Sequence, residues 1–425
     1  MLSVDKTLSK VYFILFPLLI IIPNWTVIDI KGMLWLYISI LNTPFICYIL
    51  IFKHNQNFNF LKDKAFISFL IFFISCLLSV FVAINKAESL MRITDFYCIL
   101  SSLFIICYFI NNRIIKPIVL INIVLFTFVL DLLGSYFQLY QVYEIHDIFK
   151  TEHGVDVKSF YPNKNISSFI YITKIIIISL IPIYSTNRIT KILAGVIICS
   201  AFYIIFLMST RALLLMIPFI LIFIIVIIVL KKIFFRYSLS KGFKDFSYFL
   251  VPLVTAFIIF NLTTSEESDI MVDERVTSVL STGDESVNNR LRFYSHAFTQ
   301  IKLTPLLGIG VGNWRIKSIE YDKDNMFSYV VPYSVHNDFL EVFAETGIMG
   351  IIPFTLFFYF IFINILRGSI DYIRINKNLS SIYLLIGFSM ILLDFNLNFP
   401  LDRPTSIMTY LLFISVVNSI ESTKK

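Results

Sequence analysis

The chain has 425 residues, of which 57% are hydrophobic and only 15% charged, with five cysteines and a formal net charge of +7. An ordinary soluble domain is about a quarter charged, so this composition excludes a soluble enzyme, a secreted disulfide scaffold and a nucleic-acid binder. A mean hydropathy of +0.82 fits a polytopic membrane protein, in which about 20 apolar residues make one helical crossing.

Apolar runs at 11–31, 33–52, 64–83, 91–110, 115–139, 166–184, 190–208, 212–230, 246–262, 347–366, 380–398 and 404–421 predict the crossings. Pro17, Pro23 and Asn24 interrupt the first. No small-residue cleavage site follows it, so it reads as a retained helix and not as a signal peptide. Every alternate short connection is basic: Lys6 and Lys10; Lys53, Lys62 and Lys64; Arg113 and Lys116; Arg188 and Lys191; Lys231 to Lys244; Arg367 to Lys377; Lys424 and Lys425. That alternation puts both termini in the cytoplasm, and it accounts for the net charge without a polyanion site. Cys47, Cys76, Cys98, Cys107 and Cys199 lie inside apolar runs at no metal-like spacing, which predicts buried packing.

Two connections, about 140–165 and about 263–346, are too long for simple turns, and both fall on the outer side. The expected fold is all-α: an integral membrane bundle of about 12 transmembrane helices with one large, partly helical outer loop. The chain then divides into crossings one to nine at 1–262, the loop at 263–346 and the last three crossings at 347–425.

Three places break the apolar pattern. From Ile192 to Leu230 the chain is nearly unbroken hydrocarbon, interrupted by Ser209-Thr210-Arg211. As one helix this stretch would extend about 58 Å, roughly twice the bilayer core, so the chain must turn near Ser209. Arg211 there opposes the positive-inside bias. It either snorkels to headgroups or binds an anion. Next, Asn288 to Trp314 reads as an amphipathic helix, helix-like from Arg290 to Ile301 and stopped before Pro305, and then a glycine-rich turn at Gly308-Ile309-Gly310-Val311-Gly312-Asn313-Trp314. Alternate glycines let a backbone pass close to something bulky. Arg290 and Arg292 at the helix start would sit at its positive dipole end, where an anion is favoured. Either can equally be a solvated surface arginine. Third, Ser334-Val335-His336-Asn337-Asp338 reads as an N-cap followed by a first turn that holds His336 neutral. Asp338, Glu341 or Glu345 would orient the ring. The bland alternative is a packed interfacial histidine. His146 and His153 lack the spacing of a dependable metal site, His54 falls on the cytoplasmic side and His296 on the amphipathic helix, and no metal or cofactor is expected. Lys174 and Asp131 stand out as charges inside crossings.

At these residues the chain resembles the O-antigen ligase family of polytopic glycosyltransferases, which includes ligases, polysaccharide polymerases and O-oligosaccharyltransferases. The matching segments are Ser209-Thr210-Arg211-Ala212, Arg290 through Trp314, His336 through Gly350, Phe160-Tyr161-Pro162-Asn163-Lys164-Asn165 and Asp394 to Pro404. Tyr294 stands where many relatives carry Trp. The resemblance implies an enzyme of the bacterial inner membrane with its site facing the periplasm. Its donor would be an undecaprenyl diphosphate-linked glycan, and its acceptor a hydroxyl on lipid A–core or on another lipid-linked glycan. Arg211 and Arg290 would neutralise the diphosphate and His336 would act as general base, in a metal-independent inverting displacement. Arg292, Lys164, Asn165, Asn337 and Arg403 would contact diphosphate or sugar. Ligation to lipid A–core is preferred over polymerisation. A flippase or other transporter is the alternative from a different class.

Overall fold

The computed structural model describes residues 2–21, 29–53, 57–146, 149, 151–263, 285–325, 333–375 and 379–422; the side chains of 2, 3, 151, 152, 211–215, 285, 286 and 375 lie outside that description. Among the described residues every regular element is helical. The α-helices are α1 (Leu2–Leu18), α2 (Ile30–Phe52), α3 (Lys64–Ser79), α4 (Lys86–Asn111), α5 (Pro117–His146), α6 (Lys164–Ile178), α7 (Ile181–Tyr184) and α8 (Arg188–Met208). They continue with α9 (Arg211–Phe235), α10 (Leu239–Thr263), α11 (Glu285–Leu303), α12 (Trp314–Asp322), α13 (Asp338–Ile375), α14 (Leu379–Leu397) and α15 (Pro404–Ser422).

Ten of the described helical segments are long and apolar enough to cross a membrane. The chain is a multi-pass helical membrane protein. The first and last expected crossings fall short of that measure for different reasons. Helix α1 begins well before residue 11 and has only 17 residues, with Pro17 inside it, before a 3₁₀ turn at Leu19–Ile21. Helix α15 has 19 residues, but Thr405, Ser406, Thr409, Ser415 and Asn418 dilute its apolar character. Local signals start the helices as expected from short polar side chains that accept orphan N–H groups. Asp29 caps α2, Asp63 caps α3, Asn85 caps α4, Asn163 caps α6 and Asn187 caps α8. The turn expected near Ser209 is there: α8 ends at Met208, Ser209 adopts φ 45°, and Arg211 opens α9.

The chain forms two compact units, each drawn from separate stretches of sequence. The first comprises residues 1–114, 283–363 and 392–411, the second 115–282, 364–391 and 412–425. In the first, Asn42 of α2 is fully buried; its amide donates to Ser101 and Ser102 of α4 at 2.8 and 2.9 Å, and it accepts from Tyr12 at 3.0 Å. Such pairings hold apolar helices together where burial from water cannot, because lipid tails are as apolar as leucine. In the second, the two intramembrane charges noted in the sequence satisfy each other. Lys174 Nζ lies 2.5 Å from Asp131 Oδ2 and 3.3 Å from the Tyr161 hydroxyl, all buried. All five cysteines are free; Cys76 and Cys98 are buried as expected, whereas Cys47 is exposed.

The described part of the long loop is folded. Helix α11 extends five residues upstream of Arg290. Ala297 and Ile301 of α11, Ile309, Trp314 of α12, Val335 and Ala344 of α13 form a small core, with Tyr294, Tyr321, Leu340 and Phe343 packed on it.

Candidate functional site

All of the geometry described next lies within the first unit. Helix α13 is broken at Gly347, whose φ of 62° and ψ of −162° are not helical. The break leaves backbone groups on both sides without intrahelical partners, and buried polar groups of that kind must be matched elsewhere. The glycine-rich segment matches them. Ile309 and Gly310 N–H donate to the Ala344 and Glu345 carbonyls at 3.1 and 2.9 Å, and Ile348 N–H donates to the Pro305 carbonyl at 2.8 Å. This explains the alternate glycines. A Cβ on Gly308 would stand 2.3 Å from the Glu345 carbonyl, and one on Gly310 2.5 Å from Ala83. The bulky object they pass is therefore the chain itself. Asn313 and Trp314 complete the clamp: Asn313 Oδ1 accepts from Asn85 N–H at 2.6 Å, and Trp314 N–H donates to Glu345 Oε1 at 2.9 Å.

That clamp presents His336. The expectation that Ser334 caps the helix and places His336 in its first turn is corrected. Helix α13 starts at Asp338, and the cap is Asn337, whose Oδ1 accepts from Leu340 N–H at 3.1 Å. Asn337, which the resemblance counts among the residues contacting diphosphate or sugar, has its amide oxygen on the Leu340 N–H and its nitrogen 3.3 Å from Asn396 Oδ1. His336 precedes the helix in left-handed backbone, φ 59°. A non-glycine residue pays for that conformation, which here turns the ring into an aromatic slot. Phe293 lies parallel to it with centroids 6.2 Å apart, and Phe399 meets it edge-on at 4.9 Å. The Nδ1 atom is buried with no hydrogen-bond partner among the described residues.

The imidazole is neutral near pH 7, and the largest cause is burial. Burial, followed by the positive charges of Arg290 and Arg403, pushes its pKa down to about 4. The nearby carboxylates do not orient the ring. Asp338 Oδ2 accepts from Leu401 N–H, Glu341 Oε2 from Val335 N–H and Glu345 Oε1 from Trp314 N–H, each at 2.9 Å. All three acids hold backbone.

Arg290 lies in the second turn of α11, so the dipole argument made for it, which reaches only the first turn, does not apply. It is half-buried and, among the described residues, forms no ion pair. Arg403 is likewise half-buried and without an ion pair; its guanidinium carbon sits 4.2 Å from the centroid of Phe399. Burial lowers its pKa from the usual guanidinium value, against the pull of Asp402, Asp394 and Asp338. Arg292 is engaged differently. Its Nε and Nη2 bind the two carboxylate oxygens of Asp322 at 2.7 and 3.2 Å, a bidentate pair that ties α11 to α12. Tyr294 places its hydroxyl 3.3 Å from the His336 carbonyl and 3.1 Å from that of Asn396.

Three expected residues belong to the second unit. The side chain of Arg211 lies outside the described residues; its backbone opens α9. Lys164 and Asn165 are the first two residues of α6, both half-buried, and the preceding Asn163 is the cap. Sequence reasoning missed Phe293 and Phe399, the walls of the slot. The available signal was an aromatic adjacent to an arginine in Arg292-Phe293 and one four residues before an arginine in Phe399 to Arg403.

A neutral imidazole that feels two guanidinium charges, neither ion-paired among the described residues, can take a proton while the arginines neutralise a polyanion. No curated protein matches the chain. A family model described as O-antigen ligase matches residues 173–355, a range that holds Arg211, Arg290 and His336. Over residues 173–355, this multi-pass membrane protein is therefore similar to the O-antigen ligase family.

Proposed function

We propose that the chain is a glycosyltransferase of the bacterial inner membrane that moves a glycan from undecaprenyl diphosphate to an acceptor hydroxyl at the periplasmic face. His336 takes the hydroxyl proton, the hydroxyl oxygen attacks the anomeric carbon, and the bond to the diphosphate oxygen breaks with inversion. Arg290 and Arg403 stabilise the charge that gathers on the leaving diphosphate; guanidinium suits this because its planar fork binds phosphate oxygens in pairs. Arg211 keeps the diphosphate role that the resemblance gives it, and Lys164 and Asn165 keep their sugar contacts. Arg292 and Asn337 act by holding α11 and the start of α13 in place. The observation that carries this reading is the neutral His336 ring under the charges of two guanidiniums that form no ion pair among the described residues.

A base with a pKa of about 4 is weak at neutral pH, and the donor itself corrects this. Diphosphate bound at Arg290 and Arg403 cancels the two charges that depress the imidazole, so its pKa rises once substrate is in place. Because kcat/KM reports the free enzyme and kcat the complex, the acid limb of kcat/KM should fall near pH 4 and that of kcat distinctly higher. Arg403→Gln should raise the first limb and leave the second nearly unchanged. Coincident limbs near the ordinary histidine value of 6.5 would contradict the assignment. Stability follows the same sign. Below about pH 6.5 the unfolded chain binds a proton that the folded chain refuses, so this residue destabilises the fold as pH falls toward 4.

The deciding experiment offers purified protein a lipid-linked glycan with lipid A–core or with a second lipid-linked glycan, in chelator throughout. Transfer to lipid A–core identifies a ligase, our preferred assignment, and chain extension a polymerase. Arg290→Ala and Arg211→Ala should each cost about 10²–10³-fold in kcat, as for removal of one group that stabilises transition-state charge. No transfer to either acceptor, together with movement of labelled lipid across vesicles, would turn the assignment to a flippase.

A further inference from the structure

A cavity of about 760 Å³ opens in the first unit, lined by the starts of α2 and α4 and by Asp402 of the 400–403 turn, whose Phe399 neighbour meets His336. Its volume lies within the roughly 300–1,000 Å³ of ordinary small-molecule sites. Its wall is unusually rich in charge for a membrane protein. Arg92, 6% exposed, donates to Asp95 at 3.1 Å, to Asp402 at 3.2 Å and to the Leu401 carbonyl at 3.2 Å. Lys31 also donates to Asp402. Arg315 lies 3.5 Å from Glu88 and 3.6 Å from Asp402. Each cation is thus already matched by a carboxylate, which leaves no surplus positive charge for a phosphate.

What remains unused is acceptor capacity and aromatic surface. A carboxylate offers about four lone-pair sites, and the Glu88 and Asp402 side chains keep 25% and 28% of their surface open. Tyr97 and Tyr333 line the same cavity at 45% and 61% exposure. Trp35, also in the wall and 4% exposed, has a buried indole N–H with no partner among the described residues. An unmatched buried donor costs about 1–3 kcal/mol. Paired charges with spare lone pairs, ring faces and a spare donor together suit a neutral ligand dense in hydroxyls and C–H faces.

We propose that this cavity is a carbohydrate subsite that holds an uncharged sugar portion of the glycan handled at His336. The inference rests on the glycosyltransferase reading for its biological ligand, but not for its test. The hydroxyls donate to Glu88 and Asp402, and the rings of Tyr97 and Tyr333 cover the sugar face. The cavity serves the donor glycan or the acceptor glycan, and kinetics separate the two.

The probe is the oligosaccharide released by mild acid from lipid-linked glycan of the cells that make the protein, added lipid-free and phosphate-free to purified protein. Saturation-transfer NMR should detect binding to the wild type and to His336→Asn alike. Glu88→Gln and Tyr97→Ala should each raise Kd at least tenfold, and inorganic diphosphate should not compete. In the transfer assay the same variants should raise KM for one substrate, donor or acceptor, at nearly unchanged kcat; the substrate affected names the source. Absence of oligosaccharide binding to the wild type, or binding untouched by both variants, overturns the subsite even if transfer is active. Binding that depends on Glu88 and Tyr97 in a protein without transfer activity upholds the subsite and overturns the enzymatic reading instead. Both variants must keep the wild-type unfolding temperature, and Tyr333→Phe, which retains the ring, should bind as the wild type does.

Discussion

His336→Asn is expected to lower kcat by about 10²–10⁴-fold, the usual contribution of general acid–base catalysis, with little change in thermal stability. Asparagine is the right replacement for a structural reason. The residue sits at φ 59°, and asparagine tolerates left-handed backbone better than alanine or glutamine does. The variant therefore removes the imidazole while keeping the bend between Val335 and the Asn337 cap. Loss of activity can then be assigned to the missing ring nitrogen, provided the unfolding midpoint in detergent is unchanged. Turnover within threefold of the wild type would remove His336 from the reaction. The aromatic slot would then be a packing feature between α11 and the 400–403 turn.

The second large effect concerns the clamp. Gly347→Ala should destabilise the protein by roughly 2–5 kcal/mol, combining about 1–2 kcal/mol for left-handed backbone with about 1–3 kcal/mol for overpacking. The added Cβ would stand 2.2 Å from the Leu306 carbonyl oxygen, which is backbone and cannot move aside as a side chain would. Relief requires parting the 305–310 segment from α13, which abandons the hydrogen bonds from Ile309, Gly310 and Ile348. Gly195→Ala in α8 is the matched control. A Cβ there meets nothing within 4 Å, and in a helix the change should stabilise by up to about 1 kcal/mol. Thermal unfolding and limited proteolysis of the segment around α11 and α12 measure both. Equal stability of the two variants would refute the clamp.

Residues 305–314 look like a ligand-binding glycine loop, but their hydrogen bonds go to α13 and to the start of α4. Their task is to hold α11 so that Arg290 and Phe293 face the histidine. A change in the glycines should therefore reduce activity together with stability, unlike His336→Asn.

Arg92 and Asp95 show what a sequence reading overlooks. They lie three apart inside a predicted crossing, and one helical turn brings such residues onto one face. That signal was visible, yet nothing in the local pattern joins them to Asp402, some three hundred residues later. The pairing exists because the 400–403 turn folds back on α4.

The amino-acid order alone determined the helical membrane architecture, most helix boundaries, the turn at Ser209 and the choice of Arg290, Arg403 and His336 as residues of interest. These follow from local quantities: apolar run length, capping side chains, and the cost of a charge near hydrocarbon. Only the tertiary structure decided which of the selected groups stay available. Arg292 is spent on Asp322, Asn337 on its helix, and Asp338, Glu341 and Glu345 on backbone amides, whereas Arg290 and Arg403 have no carboxylate partner among the described residues. Availability is a property of neighbours brought together by long-range packing, and the identity of those neighbours is not written in any short stretch of chain.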